Sequence, residues 1–94
     1  MSLSPEQAET TALKALAWLA AEDELLPVFM GATGVSEQDL RTQAENPEFL
    51  ASVLDFLLMD DAWVTRCCDA LQLPYDRLLL ARCCLPGGAQ IHWT

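Results

Sequence analysis

Four cysteines stand in two adjacent pairs, Cys67-Cys68 and Cys83-Cys84, and they are the residues whose chemistry could bind metal or carry out redox reactions. Zinc sites usually take two ligands that are two to four residues apart, so that both side chains reach one ion. Helical neighbours diverge by about 100°, so an adjacent pair cannot chelate through both sulfurs. One thiol of each pair could meet between packed helices, with His92 as third ligand. Since no secretion signal precedes them, we expect reduced core thiols and no metal; a metal site or a redox pair is the alternative.

The other polar residues do not indicate an enzyme. A catalytic histidine needs a fixed partner and a pocket, whereas His92 falls in residues 89–94, which lack periodicity and are predicted to form a flexible tail. Asp60 and Asp61 are paired carboxylates, but adjacent carboxylates are ordinary at a helix start. We therefore expect neither catalytic residues nor a cofactor.

The charge balance argues against nucleic acid and against anionic membranes as partners. The net charge is −9, from 14 acidic and 5 basic side chains, and the five cations are scattered along the chain. No apolar run approaches the roughly 20 residues that span a bilayer, and no secretory leader is visible. We expect a cytoplasmic protein whose partner, if charge guides it, is basic.

Helical spacing dominates the chain, and no alternating pattern predicts a strand. The starts are marked by Ser4-Pro5, by Ser36 and by Asn46-Pro47, and Gly34 marks a left-handed helix end. Six helices follow from these signals: one to about Ala21, one ending at Gly34, one from Ser36 to about Glu45, one opening at Asn46, one ending near Leu71 and one over about Tyr75 to Leu85.

Burial can also be predicted from this spacing. The second helix is expected to bury four apolar residues, Leu25, Val28, Phe29 and Ala32. The fourth helix is apolar around more than half of its circumference, so we expect the first and fourth helices to be central. Asp55 falls on the remaining polar face of the fourth helix, and it is interpreted as a solvated carboxylate.

The first two-thirds of the chain shows a repeated pattern with an offset of 38 residues. Leu16, Trp18 and Leu19 are echoed by Leu54, Phe56 and Leu57, and the acidic junctions and later apolar positions follow the same offset. Each unit alone is too small to bury its apolar face. The prediction is an all-α fold: a compact bundle of five to six short helices in one domain (residues 1–88), with two quasi-repeated units (about 4–45 and 46–85) sharing one core.

The second and third helices have the proportions of a helix-turn-helix. Its second helix would read the major groove through polar and basic side chains. Here that helix carries Glu37, Asp39 and Glu45 against Arg41, so direct DNA binding is disfavoured. An acidic mimic of nucleic acid, which occupies the basic DNA site of a partner, remains open as a second function.

The preferred function is a non-enzymatic protein-protein interaction or adaptor module. The sixth helix is apolar around nearly its whole circumference, so it is either enclosed or in contact with a partner. Trp18 and Phe56 either form a core pair or contribute to an exposed aromatic patch. The surface expected to bind a protein partner, or a second copy of the chain, comprises Trp18, Phe56, Tyr75, Leu79, Leu80 and Trp93.

Three segments together resemble a small family of bacterial proteins that have no assigned function. They are Glu9 to Leu26 (ETTALKALAWLAAEDELL), the Gly34-Val35 turn with Leu40-Arg41, and Pro47 to Asp60 (PEFLASVLDFLLMD). The resemblance implies a cytosolic all-helical domain that stands alone. It brings no catalytic or ligand-binding residues, and the cysteines are not part of its pattern.

Overall fold

Six helices and no strand occur within residues 3–85, the part of the chain that this computed structural model describes. The helices are α1 (Pro5–Ala20), α2 (Leu25–Thr33), α3 (Glu37–Thr42), α4 (Pro47–Leu57), α5 (Asp61–Leu71) and α6 (Arg77–Cys83). The radius of gyration is 12.2 Å, which agrees with the roughly 12 Å of a compact domain of this size. The predicted all-α class and the six helices are confirmed. The tail predicted over residues 89–94 lies outside the described residues.

Capping residues place the helix starts where the sequence predicts them. The Ser4 and Ser36 hydroxyls accept hydrogen bonds from the backbone N–H groups of Gln7 and Asp39, at 3.1 and 3.2 Å. In both cases the third helical side chain bonds back to the cap, which completes a capping box. Asp60 caps α5 through the Ala62 N–H. These local contacts need no tertiary structure, so the sequence reveals them.

The left-handed end of α2 is confirmed at Gly34, whose φ is +78°. An L side chain is strained in that region, whereas glycine is not. Its N–H bonds the Met30 carbonyl and closes the helix. The chain then turns through Val35 into α3, which contains no buried residue.

The core is assembled around α1, which packs most extensively against α6 and α4 and also contacts α5 and α2. The central position predicted for α1 and α4 agrees with this packing. The buried residues of α1 are Ala8, Thr11, Ala12, Ala15, Leu16 and Leu19; those of α4 are Phe49, Leu50, Ala51, Val53, Leu54, Phe56 and Leu57. The small alanines of α1 let neighbouring helices approach closely, and the large α4 residues fill the space between them.

The predicted buried stripe of α2 is half wrong. Leu25 and Phe29 are buried as expected, but Val28 is 48% exposed and Ala32 is also exposed. Because α2 packs on the rest of the molecule along a narrow face, only Leu25 and Phe29, four residues apart, are fully buried, and Met30 is partly buried against the core. One edge of α2 therefore remains apolar and open to solvent.

Asp55 lies at the surface as predicted, with 49% of its side chain exposed, but it is also ion-paired. Its carboxylate accepts two hydrogen bonds from Arg82 of α6, at 2.6 Å from Nε and 3.1 Å from Nη2. Arg82 is 7% exposed, although arginine is rarely buried unless it is paired. Asp55 thus joins α4 to α6.

The internal repeat stays a prediction. Leu16 and Leu19 are buried, as are their counterparts Leu54 and Leu57. The correspondence is incomplete, because α1 has 16 residues and α4 has 11.

Within residues 3–85, no helix combines the length and the apolar character that crossing a bilayer requires.

Candidate functional site

Leu13 is the large apolar residue of α1 that is exposed, with 45% of its surface accessible. It lies outside the buried stripe of that helix and faces the side on which α3 stands. Leu13 lines two adjoining depressions, one toward each end of α1. We call the two together the α1–α3 groove.

One half of the α1–α3 groove has a volume of about 550 Å³ and an acidic rim. Its walls come from the first half of α1, from the turn after α3 and from α4; its lining residues are Glu6, Glu9, Thr10, Leu13, Ala44, Glu45 and Leu50. Three of them are exposed carboxylates, whereas Leu50 is 2% exposed and forms an apolar floor. This half therefore pairs an apolar base with negative charge at its edge.

The other half has a volume of about 320 Å³ and is mostly apolar. It lies among α1, α2 and α3, and its lining residues are Leu13, Leu16, Ala17, Ala20, Leu26, Glu37, Leu40 and Arg41. Leu26 and Leu40 are part-buried, so they present apolar surface without being sealed off. Glu37 and Arg41 supply its charges, one of each sign.

Local sequence signals explain why the groove stays open. The Ser36 capping box stabilises α3 from its own side chains, so this short helix forms without a buried face. At its far end the Asn46 amide donates to Gln43 Oε1 at 2.9 Å, which ties the outgoing chain to the start of α4. Two short connections thus hold α3 beside α1 as a wall that does not close over Leu13.

The interaction surface predicted around α6 is only partly exposed. Tyr75 and Leu79 are 59% and 54% exposed, and Leu80 is part-buried. The Tyr75 hydroxyl donates to Asp69 Oδ1 at 2.7 Å, and this bond to the carboxylate raises the pKa of the Tyr75 hydroxyl. The inner face of α6 is enclosed, since Leu78 is completely buried. The helix is therefore both packed on the core and open along one edge.

Phe56, which was also predicted to belong to the interaction surface, is 4% exposed and belongs to the core. Its ring stacks on Trp63 with centroids 4.7 Å apart and meets the edge of Phe29 at 5.2 Å. Trp18 is half-buried and lies beneath Arg66, whose guanidinium carbon is 5.9 Å from the ring centroid. The predicted exposed patch thus loses Phe56, and Trp93 lies outside the described residues.

The cysteines within residues 3–85 are free, and their environments differ. Cys67 and Cys68 are completely buried, Cys83 is exposed, and the Cys84 thiol donates to the Leu3 carbonyl at 3.1 Å. Burial raises the pKa of Cys67 to about 12, with a smaller contribution from the neighbouring Cys68. Burial also raises the pKa of Cys68, helped by nearby carboxylates. Both buried thiols are therefore held protonated.

Metal and nucleic-acid chemistry gain no geometric support in the described part of the chain. Across residues 3–85, no three histidine, cysteine or acidic side chains are grouped to hold a metal ion. His92, the third ligand considered above, lies beyond that range. On α3, Asp39 is engaged in the Ser36 cap, and Glu37 lies on the same short helix as the cation Arg41. The helix-turn-helix proportions are present without a basic reading surface.

Sequence reasoning missed the α1–α3 groove, although one signal was available. Leu13 falls one step outside the stripe formed by Ala8, Ala12 and Ala15, so a helical projection already places a large leucine beside the buried face. The position of α3 next to it depends on tertiary packing, which the projection does not contain.

No curated protein and no solved structure matches the chain. A family model described as a protein of unknown function (DUF3572) matches residues 5–88. The match begins with the first residue of α1 and extends past the last residue of α6, so it takes in the whole helical fold. The chain therefore belongs to the DUF3572 family.

Proposed function

We propose that this protein is a non-enzymatic interaction or adaptor module that acts in the cytoplasm and binds another protein through the α1–α3 groove. The observation that carries the proposal is the position of Leu13, a half-exposed leucine shared by both halves of the groove. Exposed apolar surface rimmed by polar residues is typical of protein-binding sites.

The arrangement around Leu13 resembles the centre of an interface. Leu13 shares the lining of the groove with part-buried Leu26, Leu40 and Ala44 and with the exposed carboxylates of Glu6 and Glu45. Interfaces commonly place apolar anchors in a dry centre and polar groups at the rim. A partner side chain that contacts Leu13 would displace water from the apolar surface of α1 and α3.

The outer edge of α6 offers a second face for the same function. Tyr75 and Leu79 are as exposed as Leu13, and this edge could serve a homodimer or a second partner. Leu13, in contrast, lines a groove that has an apolar floor and an acidic rim. We therefore place the primary contact at Leu13 and use Leu79 as the matched comparison.

The test is capture of partners with purified protein carrying a photo-crosslinking amino acid in the wall of the groove, at Ala17, or next to Leu79, at Cys83. Extracts of cells that express the protein naturally would be irradiated, and crosslinked proteins identified by mass spectrometry. We expect one partner to crosslink from Ala17 and to be lost in Leu13→Glu.

Val28→Glu and Leu79→Glu are the controls, because Val28 (48%) and Leu79 (54%) match the exposure of Leu13 (45%). Each adds the same charge to an exposed apolar position, and circular dichroism would verify folding. Retention of the partner in both controls supports the groove. Loss of the partner in Leu79→Glu alone would show that the partner binds at α6 and would refute binding at the groove.

A further inference from the structure

We infer that the α1–α3 groove takes a basic amphipathic helix of about four turns, supplied by a different protein. This inference rests on the proposed function and specifies the chemistry of the partner. Its length follows from α1, since the lining residues run from Glu6 to Ala20. At 1.5 Å per residue these 14 steps extend for about 21 Å, which another helix would match with about 14 residues.

Charge on the groove selects a cationic partner. Its lining includes four carboxylates, from Glu6, Glu9, Glu37 and Glu45, against the guanidinium of Arg41. A second copy of this chain is disfavoured, because two proteins of net charge −9 repel each other. A helix with leucines on one face and lysines or arginines beside it would meet the apolar floor and the acidic rim together.

The need to satisfy backbone hydrogen bonds favours a helical partner over an extended one. Extended peptides usually bind by adding a strand to a sheet edge, which satisfies their backbone N–H and C=O groups. Residues 3–85 contain no strand, and the walls of the groove are helices whose backbone groups bond within themselves, apart from the turn at Ala44 and Glu45. A helical partner satisfies its own backbone and needs only side-chain contacts.

The tail of this chain is a poor occupant by the same criteria. Residues 86–94 read PGGAQIHWT and contain no lysine or arginine. Occupation by this segment is nevertheless tested directly below.

The experiment measures fluorescence anisotropy with a labelled probe peptide of about 15 residues, leucine on one helical face and lysine on the other. Three matched peptides accompany it: one with glutamate for lysine, one with the leucines scrambled off the face, and one with a central proline. We expect the probe alone to bind, more weakly as salt rises because exposed charges are screened.

Two triple variants with equal net charge separate the groove from general attraction. Glu6→Gln/Glu9→Gln/Glu45→Gln neutralises the rim, and Asp23→Asn/Glu24→Gln/Asp61→Asn neutralises exposed carboxylates elsewhere. We expect the first to weaken binding about tenfold, since each exposed ion pair contributes modestly, and the second to change it less than twofold. Arg41→Gln should strengthen binding, a gain that mere damage to the fold would not produce.

Each contrary result overturns the inference. Equal weakening by both triples would indicate unspecific attraction, and equal binding of the proline or scrambled peptide would refute the amphipathic helix. The inference would also be refuted if the probe did not bind. Stronger binding of the probe after removal of residues 86–94 would show that this segment occupies the groove. A dimer that Leu13→Glu dissociates would show that a second copy of the chain occupies it. If the probe fails while Leu13→Glu still abolishes capture of the native partner, the proposed function stands and only the partner chemistry is wrong.

Discussion

Arg82 of α6 and Asp55 of α4 form a two-pronged ion pair across 27 residues of sequence, with the shorter bond, Nε to Oδ1, at 2.6 Å. The arginine side chain is 8% exposed and the aspartate side chain 49%, so the pair sits at the boundary of the core. Two parallel hydrogen bonds between a guanidinium and a carboxylate fix the relative orientation of the two groups as well as the distance between them. The contact therefore sets how α6 lies on α4.

Replacing Asp55 with alanine should lower the free energy of unfolding by about 2 kcal/mol, because a largely buried guanidinium loses its carboxylate. The half exposure of Asp55 keeps the loss below that of a fully buried pair. Urea denaturation would measure it. The control is Asp55→Ala in an Arg82→Met background, where the added loss should be smaller. A change of less than about 0.5 kcal/mol in the single variant would contradict a structural role.

Thiol reactivity should separate the cysteines by position. Cys83 is exposed, whereas Cys67 and Cys68 are completely buried and held protonated, and the thiolate is the reactive form. We expect iodoacetamide at pH 8 to modify Cys83 first and the buried pair only in denaturant. Peptide mass spectrometry over time would show the order. Labelling of Cys67 as fast as Cys83 would mean that the α5 core is open.

Stability should decline in alkaline solution because of Cys67. Its pKa is raised by burial from 9.0 to about 12, so in that interval the unfolded chain loses a proton that the folded chain keeps. The stabilisation is complete below pH 9 and is lost as pH rises toward 12, at up to about 1.4 kcal/mol per pH unit. The free energy of unfolding, measured by urea denaturation under reducing conditions between pH 8.5 and about 10.5, would show this loss.

Cys67→Ala should reduce the slope of that pH dependence and leave the part that comes from Cys68, whereas Cys83→Ala should leave the slope unchanged. The comparison uses slopes, so the cavity left by Cys67→Ala does not disturb it. Equal slopes in the two variants would show that other groups cause the alkaline loss.

Two glycines of the α2 region should respond in opposite directions to alanine. Neither Gly31 nor Gly34 has an atom within 4 Å of an added Cβ, so backbone preference alone decides. Gly31→Ala should stabilise by about 0.5–1 kcal/mol, because alanine favours a helix interior. Gly34→Ala should destabilise by about 1 kcal/mol, because φ is +78° there. Thermal unfolding would measure both, and the same sign in both variants would contradict this account.

The helices could be predicted from sequence because their boundaries depend on neighbours in the chain. Ser4, Ser36 and Gly34 act within three or four residues of their own positions, and all three perform as predicted. Arg82 and Asp55 could not be paired in this way, since their contact requires knowing which helices pack together. Phe56 was ambiguous for the same reason: an aromatic residue at the edge of an apolar face becomes buried only when Trp63 and Phe29 arrive from other helices.

The absence of any buried residue in α3 has a consequence for how this protein can change over time. Glu37, Gln38 and Arg41 are exposed, so we expect substitutions at these positions to change the α3 wall of the groove with little effect on the stability of the fold. Under the proposed function, α3 is thus the wall of the groove that can vary, whereas α1 and α4 contribute Leu16 and Leu50, which also belong to the core.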